Sequence, residues 1–167
     1  MSMDGIRIVG FEPRWRDDFA NLNIEWLQRW FVVEPHDREV LGNPEQYILA
    51  AGGHILFAVD AGPHALGTVA IKHDGEGVYE LTKMAVTPVA RGQGIGRLLM
   101  DAALALYGTL GGRELYLESS SPLANAIAMY ERSGFRHHPA PRAGSHYARA
   151  DVHMIWEPRA NMPAQDE

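Results

Sequence analysis

The sequence predicts an α/β (α+β) domain built on one mixed sheet with helices on both faces. Three observations carry that expectation. Short apolar runs separated by turn residues follow Gly52-Gly53, which is the pattern of antiparallel hairpins. From Val78 onward strands alternate with helical periodicity, as in parallel crossovers. Finally, 167 residues, 46% of them apolar and 22% charged, suit one domain with a sizeable core. There is no internal repeat or low-complexity segment. A single domain over 1–167 is therefore expected, with its core at about 5–157 and a frayed tail from Pro158.

Taken in order, Ile6 to Val9 reads as a first strand. Asp17 to Val33 reads as a helix, because Phe19, Leu22, Trp26 and Trp30 recur at spacings of three and four. Pro35 breaks it, and Asp37 is a candidate cap for a second helix running toward Ile48, interrupted at Gly42 to Pro44. Ile55 to Val59 and Leu66 to Lys72 are strands joined through Asp60-Ala61-Gly62-Pro63. Val78 to Val86 is the next strand, set off by Asp74-Gly75-Glu76-Gly77. Ile95, Leu98, Leu99, Ala102, Leu106 and Leu110 then trace one helix face, which Gly111-Gly112 ends. Glu114 to Glu118 is a strand. Ser121 as N-cap with Pro122 at the first helical position starts a last helix, and Gly134 closes it. Phe135 to His138 and Asp151 to Trp156 are short strands flanking a loop from Pro139 to Arg149.

Composition narrows the function. A formal net charge of −6 argues against a nucleic-acid partner, which would need a basic surface. No cysteine is present, which removes disulfides, thiolate zinc sites and a cysteine nucleophile. The eight histidines are scattered, and the adjacent His137-His138 would point to opposite faces of a strand, so no metal site is expected. Met1 to Arg7 lacks a signal-peptide pattern and no apolar run reaches membrane-spanning length. A cytoplasmic protein without a membrane partner is the expectation.

The chemistry is concentrated in Arg91-Gly92-Gln93-Gly94-Ile95-Gly96, which joins a strand to an amphipathic helix. Glycines allow close backbone approach and positive φ. The first N–H groups of a helix lack intrahelical partners and lie at the positive end of its dipole, so they suit an anion such as a diphosphate. Arg91 and Arg97 flank the loop as further cationic contacts. A Walker loop would require Gly-Lys-Ser/Thr where Gly96-Arg97-Leu98 stands, and the dinucleotide fingerprint would require glycine at Arg97.

Leu81 to Leu99, with Arg91, Gly94 and Gly96 in register, resembles motif A of the GNAT N-acetyltransferase superfamily. Asn125-Ala126-Ile127-Ala128-Met129-Tyr130-Glu131-Arg132-Ser133-Gly134-Phe135 is similar to its motif B. The resemblance implies an acyl-CoA N-acyltransferase fold and acetyl-CoA as cosubstrate, lying in an opening between the splayed strands 78–86 and 114–119. It implies that the main chain of Met84, Ala85 and Val86 holds the pantetheine arm. One of their N–H groups would face the thioester carbonyl, where charge develops during transfer. Gly92, Gln93, Gly94, Ile95, Gly96 and Arg97 would hold the pyrophosphate, with Asn125 on the arm.

By the same resemblance Tyr130 is the candidate general acid. A phenol with an unperturbed pKa near 10 keeps its proton at neutral pH and can donate it to a departing thiolate. Glu80, on the strand leading into the loop, is the candidate base, with Glu118 on the opposing strand in reserve and water as a further carrier. The acceptor is expected to be a primary amine on a small molecule or peptide. It would meet Phe31 and Glu34 at the end of the first helix, Glu118, and Tyr147 near the last hairpin. The alternative is a non-catalytic acyl-CoA sensor. Dimers are common in this superfamily, so a homodimer is possible.

Overall fold

The structure is a computed structural model that describes residues 5–139, 145 and 148–158. The element order matches the sequence reading. Strand β1 (Arg7–Gly10) is followed by helices α1 (Arg16–Trp30) and α2 (Pro35–Gly42) and a single π turn at Glu45–Leu49. Then come β2 (His54–Val59), β3 (Gly67–Gly75), β4 (Val78–Val86), α3 (Ile95–Thr109), β5 (Glu114–Ser119), α4 (Ala124–Ser133), β6 (Phe135–His138) and β7 (Val152–Trp156).

The seven strands form one sheet in the order β1-β2-β3-β4-β5-β7-β6. Only β4 and β5 are parallel; every other neighbouring pair is antiparallel. Strand alternation divides the core between two faces. Ile55, Phe57 and Val59 of β2 pack with Phe19 and Leu27 of α1 and with Val40 and Leu41 of α2. On the other face Ile71, Leu81, Leu115, Leu117 and Met154 pack against Leu99, Met100 and Ala103 of α3. Helices on both faces of a mixed sheet are thus what the chain forms.

Helix boundaries differ from the expectation at three points. Helix α1 stops at Trp30, because Phe31 is extended (φ −145°, ψ −172°). Glu34 precedes a proline, which disfavours helical backbone, and it is held at φ −86°, ψ 158°. Glu34, not Asp37, caps α2. Pro35 occupies the first turn, and the Asp37 carboxylate accepts the Glu34 N–H at 2.8 Å in a capping box. Ser121 does not cap α4 either. Its N–H and Oγ both donate to Asp151, at 2.8 and 2.7 Å, so the helix begins at Ala124 after Leu123. The β3–β4 turn is also tighter than expected, with β3 continuing to Gly75 and positive φ at Gly75, Glu76 and Gly77.

Gly53 fixes the junction between the π turn and β2. A Cβ there would lie 2.6 Å from the Ile71 carbonyl oxygen and 2.7 Å from that of Ile48. Both obstacles are backbone in regular structure. Gly53→Ala is therefore expected to lower the unfolding free energy by about 2 kcal/mol, read as a lower urea midpoint at unchanged slope.

Candidate active site

The cleft begins where two strands part. Strands β4 and β5 pair only through Val78↔Glu114, Tyr79↔Leu115 and Glu80↔Tyr116. Beyond Glu80 a bulge bends β4: Thr68 faces Ala85 and Ala70 faces Thr82, so Lys83 and Met84 together oppose Val69. Lys83 carries the bulge at φ 55°, a left-handed conformation rare for a non-glycine residue. From there the β5 side of β4 has no strand partner among the described residues. Glu80 to Met84 line one side of the cleft there, and Leu117, Glu118 and Ser119 of β5 line the other. An extended amide-bearing chain fits such a gap as an added strand would.

The glycine loop follows β4 after a short turn at Pro88–Ala90. Gly92 and Gly94 have φ of 80° and 83°, and Gly94 is the N-cap of α3. The first bond of the helix is Leu98 N to Gly94 O at 3.0 Å, so the N–H groups of Ile95, Gly96 and Arg97 precede the ladder and no side chain caps them. A Cβ on Gly96 would only touch Met129 Sδ at 3.9 Å, so packing against α4 does not require that glycine. Gln93 turns a buried Oε1 inward with no hydrogen-bond partner among the described residues. Gly94→Ala is expected to cost about 1 kcal/mol in stability, since alanine must take a left-handed φ, read as a lower urea midpoint.

Arg91 does not stand free beside the loop as expected. Its Nε donates to the Val86 carbonyl at 3.0 Å, and its guanidinium pairs with Glu25 of α1 at 3.0 Å. It ties loop, strand and helix together, with much of its charge answered by Glu25. Arg97 is exposed and lies 3.9 Å from Asp101.

One cleft brings together Phe31, Glu80, Met84, Glu118 and Tyr130 from the sequence-derived candidates. Burial pushes the Glu80 carboxyl up to about 7. Lys72 opposes that rise, Asp74 and Glu118 add to it, and Lys83 opposes it. Burial likewise pushes the Tyr130 phenol up to about 12, and its ring meets Phe135 edge-on at 6.2 Å. Glu118 accepts a hydrogen bond from Ser145 Oγ at 3.1 Å.

Other candidates lie elsewhere. Asn125 is exposed at the start of α4, in an adjoining groove beside Trp26 and Trp30. Glu34 is not part of the cleft lining; its carboxylate takes the Ala148 N–H at 3.2 Å and pairs with Arg149 at 3.0 Å. Tyr147 lies outside the described residues. Sequence reading missed Asn23, Trp26, Lys83 and Arg149, which also line the cleft. Trp26 was visible only as a core-facing helix residue, and nothing in Thr82-Lys83-Met84 signals a bulge.

Among the described residues no group of three or more His, Cys, Asp or Glu side chains is arranged to hold a metal ion. No helix among them is long and apolar enough to cross a membrane.

A splayed strand pair and a bulge line one cleft, a glycine loop caps the helix that follows β4, and the sequence profile of the Acetyltransferase (GNAT) family matches residues 19–135. The chain belongs to the GNAT acetyltransferase family. This GNAT acetyltransferase is 31% identical over 139 residues to an uncharacterized N-acetyltransferase of Schizosaccharomyces pombe, covering 77% of this chain and 85% of that one. Its fold is similar to a GNAT-family acetyltransferase of Staphylococcus aureus Mu50, at TM-score 0.81 and 18% identity over 92% of this chain and 99% of the other. It is also similar to the PaiA N-acetyltransferase of Thermoplasma acidophilum in complex with coenzyme A. There the TM-score is 0.71 and the identity 16%, over 91% of this chain and 98% of the other. The family's reaction is acetyl transfer from acetyl-CoA.

Proposed function

We propose that this acetyltransferase moves the acetyl group of acetyl-CoA directly onto a primary amine of a small molecule, with Glu80 as base and Tyr130 as acid. The observation that carries the reading is that both side chains line one cleft, at the point where β4 and β5 separate. The residues present fit the donor. The main chain of Met84 to Val86 would hold the pantetheine arm, and the N–H groups from Gly92 to Gly96 the pyrophosphate, with Arg97 adding charge. Bound acetyl-CoA supplies a thioester whose carbonyl carbon is open to attack by an amine.

The chain's own groups do the rest. An amine reaches the cleft as an ammonium ion, and a carboxylate of pKa about 7 is matched to take its proton near neutrality. Glu118, from the opposite wall, adds negative charge that favours a cationic acceptor, with the rings of Trp26 and Phe31 as apolar walls. Tyr130 holds its proton on Oη until sulfur departs. A main-chain N–H of the Met84 to Val86 wall faces the carbonyl oxygen as its charge grows.

The test pairs calorimetry with CoA and thiol release from acetyl-CoA over a panel of primary amines. Binding together with amine-dependent thiol release is expected. Binding without release on any amine would instead support a sensor role, and failure to bind CoA would overturn the reading of the cleft.

A further inference from the structure

We propose that Asp37 is a positioning residue for acetyl transfer: it holds Lys83 in the left-handed conformation that bulges β4, and through Arg149 it fixes the wall the acceptor meets. This rests on the proposed function of the cleft.

The Asp37 carboxylate is fully buried and every contact it makes is directional. Lys83 Nζ lies 3.1 Å from Oδ1, and Arg149 reaches Oδ1 through Nη2 at 2.7 Å and Oδ2 through Nη1 at 2.9 Å. The Glu34 N–H takes the remaining place on Oδ2 at 2.8 Å. Asp37 itself does not line the cleft, whereas Lys83, Met84 and Arg149 do. Its influence on the reaction therefore passes through them.

Two features mark the cluster as geometry rather than stability. The Lys83 side chain is only 6% exposed and Asp37 not at all, and a buried ion pair returns little net stability for the desolvation it demands. The lysine so held is also the residue with φ 55° at the bulge. A left-handed lysine persists only where its surroundings over-determine it. Anchoring its ammonium to a carboxylate on α2 does so, and the next peptide, Met84, is thereby aimed into the gap. Burial alone would raise the Asp37 carboxyl, but the Arg149 hydrogen bonds and the Lys83 charge outweigh it and hold it below the usual carboxylate range. The anchor is thus ionised throughout the neutral range.

Asp37→Asn keeps the shape and weakens both grips. The expected result is a kcat lower by about 30-fold, since misplacing a reacting group by about an ångström is that costly, with CoA affinity by calorimetry within about threefold of the parent. Adding Lys83→Gly to Asp37→Asn is expected to recover roughly fivefold of kcat, because glycine takes positive φ with no ammonium to hold. The amine KM stays high in both, since Arg149 remains loose. Equal losses in CoA affinity and kcat, or no recovery on adding glycine, would overturn the proposal as a general structural role. Should Asp37→Asn fail to fold, Arg149→Lys keeps the charge but loses the fork. It is expected to raise the amine KM more than it lowers kcat, and unchanged constants would equally overturn the proposal. A parent protein that neither binds CoA nor acetylates any amine would instead overturn the function on which this rests.

Discussion

Replacing Glu80 by glutamine is expected to cut kcat by about a hundredfold or more and to remove a pH-dependent loss of stability. The carboxyl that ordinarily titrates at 4.5 is pushed to about 7, chiefly by burial. It is a base only when ionised, so kcat/KM of the parent should rise with pH and level off above about 7. In Glu80→Gln that ascending limb should vanish with the rate. Stability moves in the opposite sense. Between 4.5 and about 7 the folded protein keeps a proton that the unfolded chain has released, so stability falls as pH rises through that window and is flat above it. Because the group is partly open to solvent, the loss is about 1–2 kcal/mol. Urea unfolding at pH 5 and pH 8 should show that slope in the parent and not in the variant. A variant with full turnover, or with the parent's ascending limb, would remove Glu80 from the mechanism.

Tyr130→Phe is expected to lower kcat about 10- to 100-fold while CoA affinity stays within about twofold. Phenylalanine keeps the edge contact with Phe135, so packing is preserved and only Oη is lost. Burial pushes the phenol up to about 12, so Tyr130 remains a proton donor across any practical assay. The parent should therefore show no descending limb from this group up to about pH 10. Stopped-flow thiol release separates the step: the variant should be slow in the first turnover, before product leaves. A normal first turnover would show that Tyr130 is packing, not chemistry.

Much of the fold was legible because its signals are local. Alternation in β2 and β4, the apolar stripe of α3 and the glycine before it follow from side-chain period and φ preference, which depend on near neighbours. The glycine turn before α3 was legible for the same reason. The ion-paired cluster around Asp37 was not. Asp37 looked like a helix cap and is instead the third residue of a capping box, and its further contacts depend on Lys83 and Arg149, 46 and 112 residues away. Ser121 has every local mark of a cap and is diverted by Asp151, which comes close only through the sheet. The bulge at Lys83 comes from a mismatch between two strands, so neither strand alone encodes it.

The insertion of β7 between β5 and β6 bears on how the chain matures during synthesis. β5 emerges from the ribosome with one flank on β4, but Glu118 and Ser119 acquire neighbours only when His153 and Val152 arrive. β6 is made earlier still than its sheet partner, Phe135 opposite Trp156, and the turn before β6 is pinned by the Trp156 indole on the Ser133 carbonyl and by Glu157 on Gly134. The second wall of the groove is thus assembled from non-local pairings of high sequence separation, the slow kind to form. A nascent chain lacking Val152–Trp156 carries the glycine loop and α3 yet has no finished groove opposite them. Donor binding should accordingly appear late in translation, together with the closing of the sheet.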